Sequence, residues 1–263
     1  MTDAVAVFDD LRDEGEELDG LVAELSDADW ARATPAPGWS IAYQVAHLVW
    51  TDDRAILAAT DPERFAAELV EIAPRVATLV DEGAAEGAAV PPSELLKRWR
   101  QSRGETLRVL REHPAGAKIG WYGPPMSAAS MATARLMETW AHGLDVAEAL
   151  GVAREPTARL RHIARLAVRT RDFAYLVRGE QPPSEQFRVE LTGPSGESWD
   201  FGPEDAAQRV SGPALDLCLL AAQRRHRDDL ALVAEGPDAE HWLGIAQMFA
   251  GPPGEGRQPG GTR

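Results

Sequence analysis

The stretch Ala134-Arg135-Leu136-Met137-Glu138-Thr139-Trp140-Ala141-His142-Gly143-Leu144-Asp145 decides how the chain is read. It has the character of one helix. Glu138 and His142 stand four residues apart, so their side chains leave the same face one turn from each other. Asp145 follows on that face. A carboxylate and an imidazole stacked in this way are two ready ligands for a divalent cation, and a third has to come from another helix.

Working towards the N-terminus, Ser127 is a suitable cap for this helix, and the loop Gly120-Trp121-Tyr122-Gly123-Pro124-Pro125-Met126 precedes it. Aromatics set between glycines and prolines suit a rigid rim over a pocket or a packing loop. A long helix through Leu95, Leu96, Trp99, Leu107 and Leu110 is expected from residue 92 or 93 to His113. Before it, Gly83-Ala84-Ala85-Glu86-Gly87-Ala88-Ala89 reads as a loop, and 62–79 as a helix that Pro74 kinks or splits. Ser40 caps a helix with the apolar stripe Ile41, Val45, Leu48, Val49, Ile56 and Leu57. His47 lies beside that stripe and points to the bundle interior. The first helix, through Val7, Leu11, Leu18 and Val22, ends near Ser26.

Towards the C-terminus, Gly151 closes the opening helix, and another is expected over 156–177 before the linker Gly179-Glu180-Gln181-Pro182-Pro183. The period then changes from helical to two. Phe187, Val189 and Leu191 alternate with polar residues, and Gly193-Pro194-Ser195-Gly196 turns into Trp199 and Phe201, which makes a hairpin. A short strand near Val210, a helix opened by Pro213, a strand through Leu230, Leu232 and Val233, and a helix over 239–249 complete the pattern. The expected fold is α+β: a helical bundle over 1–179, a small α/β domain over 180–252 and a disordered tail over 253–263.

With 27 basic against 42 acidic residues the formal charge is −15, and such a surface repels nucleic acid and anionic membranes. No apolar run approaches the ~20 residues of a membrane span, and the acidic N-terminus lacks a signal-peptide pattern. A single cysteine, Cys218, sits in the apolar run Leu217-Cys218-Leu219-Leu220, reads as a buried inert thiol, and fits a reducing cytoplasm.

Of the six histidines, His113, His162, His226 and His241 lie at helix ends or among arginines and read as solvated or capping groups. His47, Glu138 and His142 remain as the candidate metal ligands. Two imidazoles and a carboxylate suit zinc, with nickel, iron or manganese as alternatives, and three protein ligands leave coordination positions open for chemistry. Glu-x-x-x-His on a helix is common by chance, so spacing alone is a weak signal.

Pro37-Gly38-Trp39-Ser40-Ile41 with Val45-Ala46-His47-Leu48, followed by Glu138-x-x-x-His142-x-x-Asp145, resembles the DinB-like metal-binding four-helix bundles, in the branch of mycothiol-dependent maleylpyruvate isomerase. The segments from Trp121 through Trp140, 223–229 and 249–254 look most like an actinobacterial subgroup known only as metal-binding. The resemblance implies an N-terminal DinB-like bundle with a small C-terminal α/β domain, and His47, Glu138 and His142 as metal ligands. It implies a C-terminal-domain arginine at the active pocket, here Arg224 after Gln223 or its neighbour Arg225, although the glycine of the family's Gly-Arg pair is missing. Trp121, Met126, Arg135 and Asp145 are then expected to border the cofactor, Asp145 by accepting a hydrogen bond from a ligand histidine.

What the resemblance implies chemically is a divalent cation, most simply Zn2+, that makes a low-molecular-weight thiol such as mycothiol a thiolate for attack on a small electrophilic metabolite. An isomerase or S-transferase, monomeric or homodimeric and cytoplasmic, follows as the expectation. A hydrolase or lyase using metal-bound water and a non-catalytic metal-binding stress protein stand as alternatives.

Overall fold

A computed structural model of the chain describes residues 3–72, 76–254 and 256–260. Two compact units divide at Arg154 and Glu155. In the first, α1 (Asp3–Val22), α3 (Ile41–Thr60), α6 (Pro92–Glu112) and α7 (Ala128–Leu150) are the long helices. Helix α1 packs on α6 and α7, and α3 packs on the same two, which closes a four-helix arrangement. Leu18, Val22, Ile41, Val45, Leu48, Leu95, Trp99 and Val146 fill its core from all four helices. Each fully buried side chain of this size contributes roughly 1.5–3 kcal/mol before entropy is counted.

The local signals act as expected at several ends. Ser40 accepts from the Tyr43 N–H and Ser127 from the Ser130 N–H, each capping the helix that carries a candidate ligand. Gly151, at φ 70°, ends α7, and the Val152 and Gly151 N–H groups reach back to Ala147 and Glu148. That is a Schellman closure, which needs a left-handed residue at this point. Arg154, just beyond, is held by Glu14 and Glu17 of α1, so the end of α7 is tied to the first helix.

The segment 83–89 differs from its expected loop. It continues α5 (Val76–Ala88), which follows α4 (Pro62–Ile72) and packs along α3. The two glycines are not breakers here. A Cβ at Gly83 would lie 2.4 Å from the Trp50 ring, and one at Gly87 2.9 Å from Ala46 Cβ, so glycine lets the helices approach. The kink expected at Pro74 lies outside the described residues. The first helix stops at Val22, and Ser26 instead caps the single turn α2 (Asp27–Trp30).

In the second unit the helix expected over 156–177 is two: α8 (Leu160–Arg169) and α9 (Arg171–Leu176). Between them the Thr170 hydroxyl donates to the Leu166 and Ala167 carbonyls. The boundary expected at 179/180 lies within this unit, where α8 packs on α10 (Ala214–Ala221) and α9 on α11 (Pro237–Ile245). Strands β1 (Arg188–Thr192), β2 (Ser198–Phe201), β3 (Arg209–Pro213) and β4 (Val233–Glu235) form one sheet in the order β2-β1-β3-β4. The expected hairpin pairs β1 with β2 antiparallel, and β1 with β3 is parallel. Leu230 falls just after a 3₁₀ turn over Arg227–Asp229 rather than in a strand, and α11 ends four residues before Phe249. In the stretch expected to be a disordered tail, the Gly260 N–H donates to both carboxylate oxygens of Asp229. The whole is the α+β arrangement expected. No helix among the described residues is long and apolar enough to cross a membrane.

Candidate metal centre

His47 projects from the middle of α3, and Glu138 and His142 from successive turns of α7, the helix that packs against it. His47 Nε2 lies 3.1 Å and His142 Nε2 3.2 Å from the same oxygen, Glu138 Oε2. One ligand atom from each residue falls within 4.8 Å of the other two, a grouping that could hold a metal ion. The imidazole rings are 4.4 Å apart, and the Trp39 indole stacks on His142 at 5.9 Å. The three residues that the sequence singled out are therefore brought together.

Burial alone would push the Glu138 carboxyl up. Hydrogen bonds from His142 and His47, with the charge of Arg135, hold it well below the usual range instead. Glu138 is thus an anion inside the bundle with two imidazole nitrogens aimed at one of its oxygens. This N,N,O set fits a divalent cation, which would replace the donors now gathered on Oε2. The other oxygen, Oε1, faces Arg135 Nη2 at 3.9 Å.

Arg135 is only 3% exposed, and its Nε and Nη1 have no hydrogen-bond partner among the described residues. Its guanidinium lies 5.9 Å from the Trp121 ring and 4.0 Å from Asp52 Oδ1. Asp52 accepts from Ser102, and burial pushes its carboxyl up to about 7, against the pull of Arg135 and that hydrogen bond. The loop expected as a rim is closed at its base by a two-way backbone bridge between Ile119 and Met126. Trp121 stacks on Phe65 and Tyr122 on Trp50, which seats the loop over α4 and α3.

Asp145 is buried on α7, but the partner that His142 Nδ1 presents is Gln44 Oε1. Gln44 was not singled out from the sequence. A signal was available, since a glutamine interrupts the apolar stripe of α3 one turn before His47. Asp52 and Thr34 were missed for the opposite reason, because nothing local marks them. Arg224 and Arg225 lie after α10 in the second unit, where each guanidinium donates to a nearby backbone carbonyl at 2.8 Å. Cys218 is fully buried, its thiol pushed up by burial and set against the Leu160 carbonyl, which suits the inert role read from its surroundings.

Comparison with known proteins meets this picture from three sides. Residues 11–147 match the model of the mycothiol maleylpyruvate isomerase N-terminal domain, and residues 183–235 match that of a wyosine base formation domain. An uncharacterized protein of Mycobacterium tuberculosis, from strains CDC 1551 and H37Rv, is 57% identical over 257 residues, covering 98% of this chain and all of its own. The crystal structure of the mycothiol-dependent maleylpyruvate isomerase is similar at a TM-score of 0.60 and 16% identity, over 89% of this chain and 95% of that one. A histidine-to-alanine mutant of it gives 0.61 and 17% with the same coverage. At such identity the likeness speaks for the fold, and the sequence match over the bundle speaks for descent: the chain belongs to the family of the mycothiol maleylpyruvate isomerase N-terminal domain.

Proposed function

We propose that the protein is a divalent-metal-dependent enzyme that activates a low-molecular-weight thiol, mycothiol in the first instance, for transfer to or isomerisation of a small electrophilic carboxylate. The observation that carries this reading is the convergence of His47 and His142 Nε2 on one oxygen of an ionised, partly buried Glu138. A cation held by these three residues, Zn2+ by donor preference and Ni2+, Fe2+ or Mn2+ by the same geometry, supplies Lewis acidity that favours a thiolate over a thiol. The chain's own cysteine is buried and away from this role, so the thiol has to be added.

The charges around the triad support an anionic reactant. With two neutral imidazoles, Glu138 ionised, Arg135 charged and a divalent cation bound, the cluster keeps a net positive charge whether or not Asp52, pushed up to about 7, holds its proton. Arg135 is proposed to orient an anion through its Nε and Nη1, which make no hydrogen bond among the described residues, since a guanidinium holds carboxylates through paired N–H groups. Trp121 and Met126 are proposed to form the rim, and Asp145 to border the cofactor from α7.

Arg224 rather than Arg225 is proposed as the substrate-anchoring arginine of the family. Gln223 stands where the family has glycine, and it takes the left-handed backbone that glycine favours, at φ 58°. The Arg224 and Gln223 N–H groups reach back to Leu219 and Leu220, a Schellman closure built without its usual residue. The protein is proposed to work in the cytoplasm, as a monomer or homodimer, on small molecules.

The test combines metal analysis of untagged protein with turnover of maleylpyruvate and related carboxylates in the presence and absence of mycothiol. One metal per chain and thiol-dependent turnover that disappears in a folded His47→Ala variant are expected. Turnover that needs no thiol would move the assignment to metal-dependent hydrolysis, and turnover unchanged in His47→Ala would remove this site.

A further inference from the structure

A neutral histidine can bind a cation through Nε2 only if its proton sits on Nδ1, and the neighbour of Nδ1 decides where that proton is. At His142 that neighbour is Gln44, fully buried on α3. An amide presents either a carbonyl oxygen or an NH2 group, and the two orientations have opposite consequences: the oxygen demands Nδ1–H, the NH2 group demands a bare Nδ1.

The far end of the same amide settles the choice. Gln44 Nε2 lies 2.8 Å from Thr34 Oγ1, and the Thr34 hydroxyl donates its one proton to the Trp39 carbonyl at 2.8 Å. That carbonyl can only accept. Thr34 Oγ1 therefore has no proton left for Gln44 and has to accept from it. The amide is read in one direction from end to end: Trp39 C=O accepts from Thr34 O–H, Thr34 Oγ1 accepts from Gln44 N–H, and Gln44 C=O accepts from His142 Nδ1–H. His142 Nε2 then donates to Glu138 Oε2 only while the ring carries both protons; in the neutral ring its lone pair faces that oxygen at 3.2 Å, and the two acceptors repel unless a cation lies between them.

The backbone that starts this relay is itself held. The Thr34 N–H also donates to the Trp39 carbonyl, and Ala33 pairs with Ser40 in an isolated antiparallel bridge. Pro35, Pro37 and Gly38, the last at φ 80°, shape the turn between them. His47 has no counterpart: its Nδ1 is buried without a hydrogen-bond partner among the described residues. Control of the proton is confined to one of the two imidazoles.

We propose that Gln44, oriented by Thr34 and the Trp39 carbonyl, is a positioning residue that holds His142 as its Nδ1–H tautomer and so presents Nε2 to the cation. The proposal rests on the metal reading above for its purpose, but the tautomer itself is a property of the metal-free chain. A glutamine that merely satisfied its own buried amide would fill the same space without determining where the histidine proton lies.

Two measurements on the full chain separate these roles. Nitrogen NMR of histidine-labelled, metal-free protein, above the histidine titration range, reports the tautomer of each ring; zinc competition against a chromogenic chelator reports affinity. Wild type is expected to show His142 as Nδ1–H. Gln44→Leu is expected to populate the Nε2–H form and to weaken zinc binding by about 10–100-fold, the range for a lost hydrogen bond behind a ligand. Gln44→Glu, which still accepts from Nδ1–H, should keep the tautomer and recover most of the affinity. Should Gln44→Leu fail to fold, Thr34→Val frees the amide to turn over and should mix the tautomers, whereas Thr34→Ser should not. An Nε2–H His142 in wild type, or folded Gln44→Leu or Thr34→Val proteins with wild-type tautomer, would overturn the proposal. If wild type binds no zinc, the metal reading fails and the tautomer shifts still judge Gln44.

Discussion

Glu138, partly buried, and Asp52, buried, are two carboxylates with the same cation between them. Arg135 lies 3.9 Å from one and 4.0 Å from the other, yet their protons behave in opposite ways. Glu138 is held ionised well below its ordinary range, while Asp52 is pushed up to about 7. The charge of Arg135 acts on both, so it cannot be the cause of the difference. What differs is contact. Glu138 Oε2 receives two imidazoles at hydrogen-bond distance, and Asp52 receives one neutral hydroxyl from Ser102 at 3.3 Å. A guanidinium at 4 Å attracts, but donors in contact offset the loss of water and a distant charge does not.

Replacing each carboxylate by its amide should therefore give opposite results. Glu138→Gln has the largest expected effect: it removes the ligand charge and should lower zinc affinity by at least about 100-fold, above what a residue behind a ligand costs. Chelator competition checks it, and retention of stoichiometric tight zinc would deny the triad its role. Asp52→Asn should instead be tolerated. Because folding raises this carboxyl from 3.8 to about 7, the native chain binds an extra proton between those values. Stability is then full below about pH 4, falls as pH rises towards 7, and levels off above. The variant should lack this decline, for a gain of up to about 4 kcal/mol at pH 8 relative to pH 4. Urea unfolding at several pH values measures it; parallel curves for the two proteins would show that Asp52 keeps no raised pKa.

Arg135→Met separates the shared cation from the unshared donors. Asp52 should titrate higher still, while Glu138 remains ionised through its imidazoles. Carboxyl carbon NMR across the pH range distinguishes the two, and protonation of Glu138 near neutrality would mean that Arg135 matters more than contact. The smallest effect is expected at Asp19, a third carboxylate, on α1. Arg100 grips it with two hydrogen bonds and Arg103 adds a third, which lowers its pKa. Its contribution is present above the ordinary carboxylate range and is lost as pH falls through the lowered value. Since Arg100 is half exposed, Asp19→Asn should cost about 1 kcal/mol or less at pH 7, and less in high salt. A pH-independent loss would point to packing instead.

The candidate site was legible where its logic is local. Glu138 and His142 share a helix face by spacing, and His47 stands beside an apolar stripe, so the interior position of all three follows from helical periodicity. The rim loop was legible from its composition, because aromatics among prolines and glycines pack rather than dissolve. Gln44 and Asp52 were not legible, since their importance depends on partners 98 and 83 residues away along the chain, His142 and Arg135. The same division holds for the fold. Caps at Ser40, Ser127 and Gly151 announced their helices, and the change of period near Phe187 announced the sheet. Gly83 and Gly87 misled, because glycine serves both to end helices and to let them touch, and only Trp50 and Ala46 across the interface distinguish the two uses.

The amino-acid sequence by itself therefore determined the helical bundle, the later sheet and the identity of three metal-ligand candidates, all of which depend on periods shorter than about two helical turns. Only the tertiary structure decided that two imidazoles meet on a single carboxylate oxygen, that Arg135 stands between two carboxylates of opposite behaviour, and that an amide from α3 sets the proton of a histidine on α7. These depend on distances between segments far apart in the chain. Such distances arise from the packing of whole helices, and no single residue or local spacing carries them.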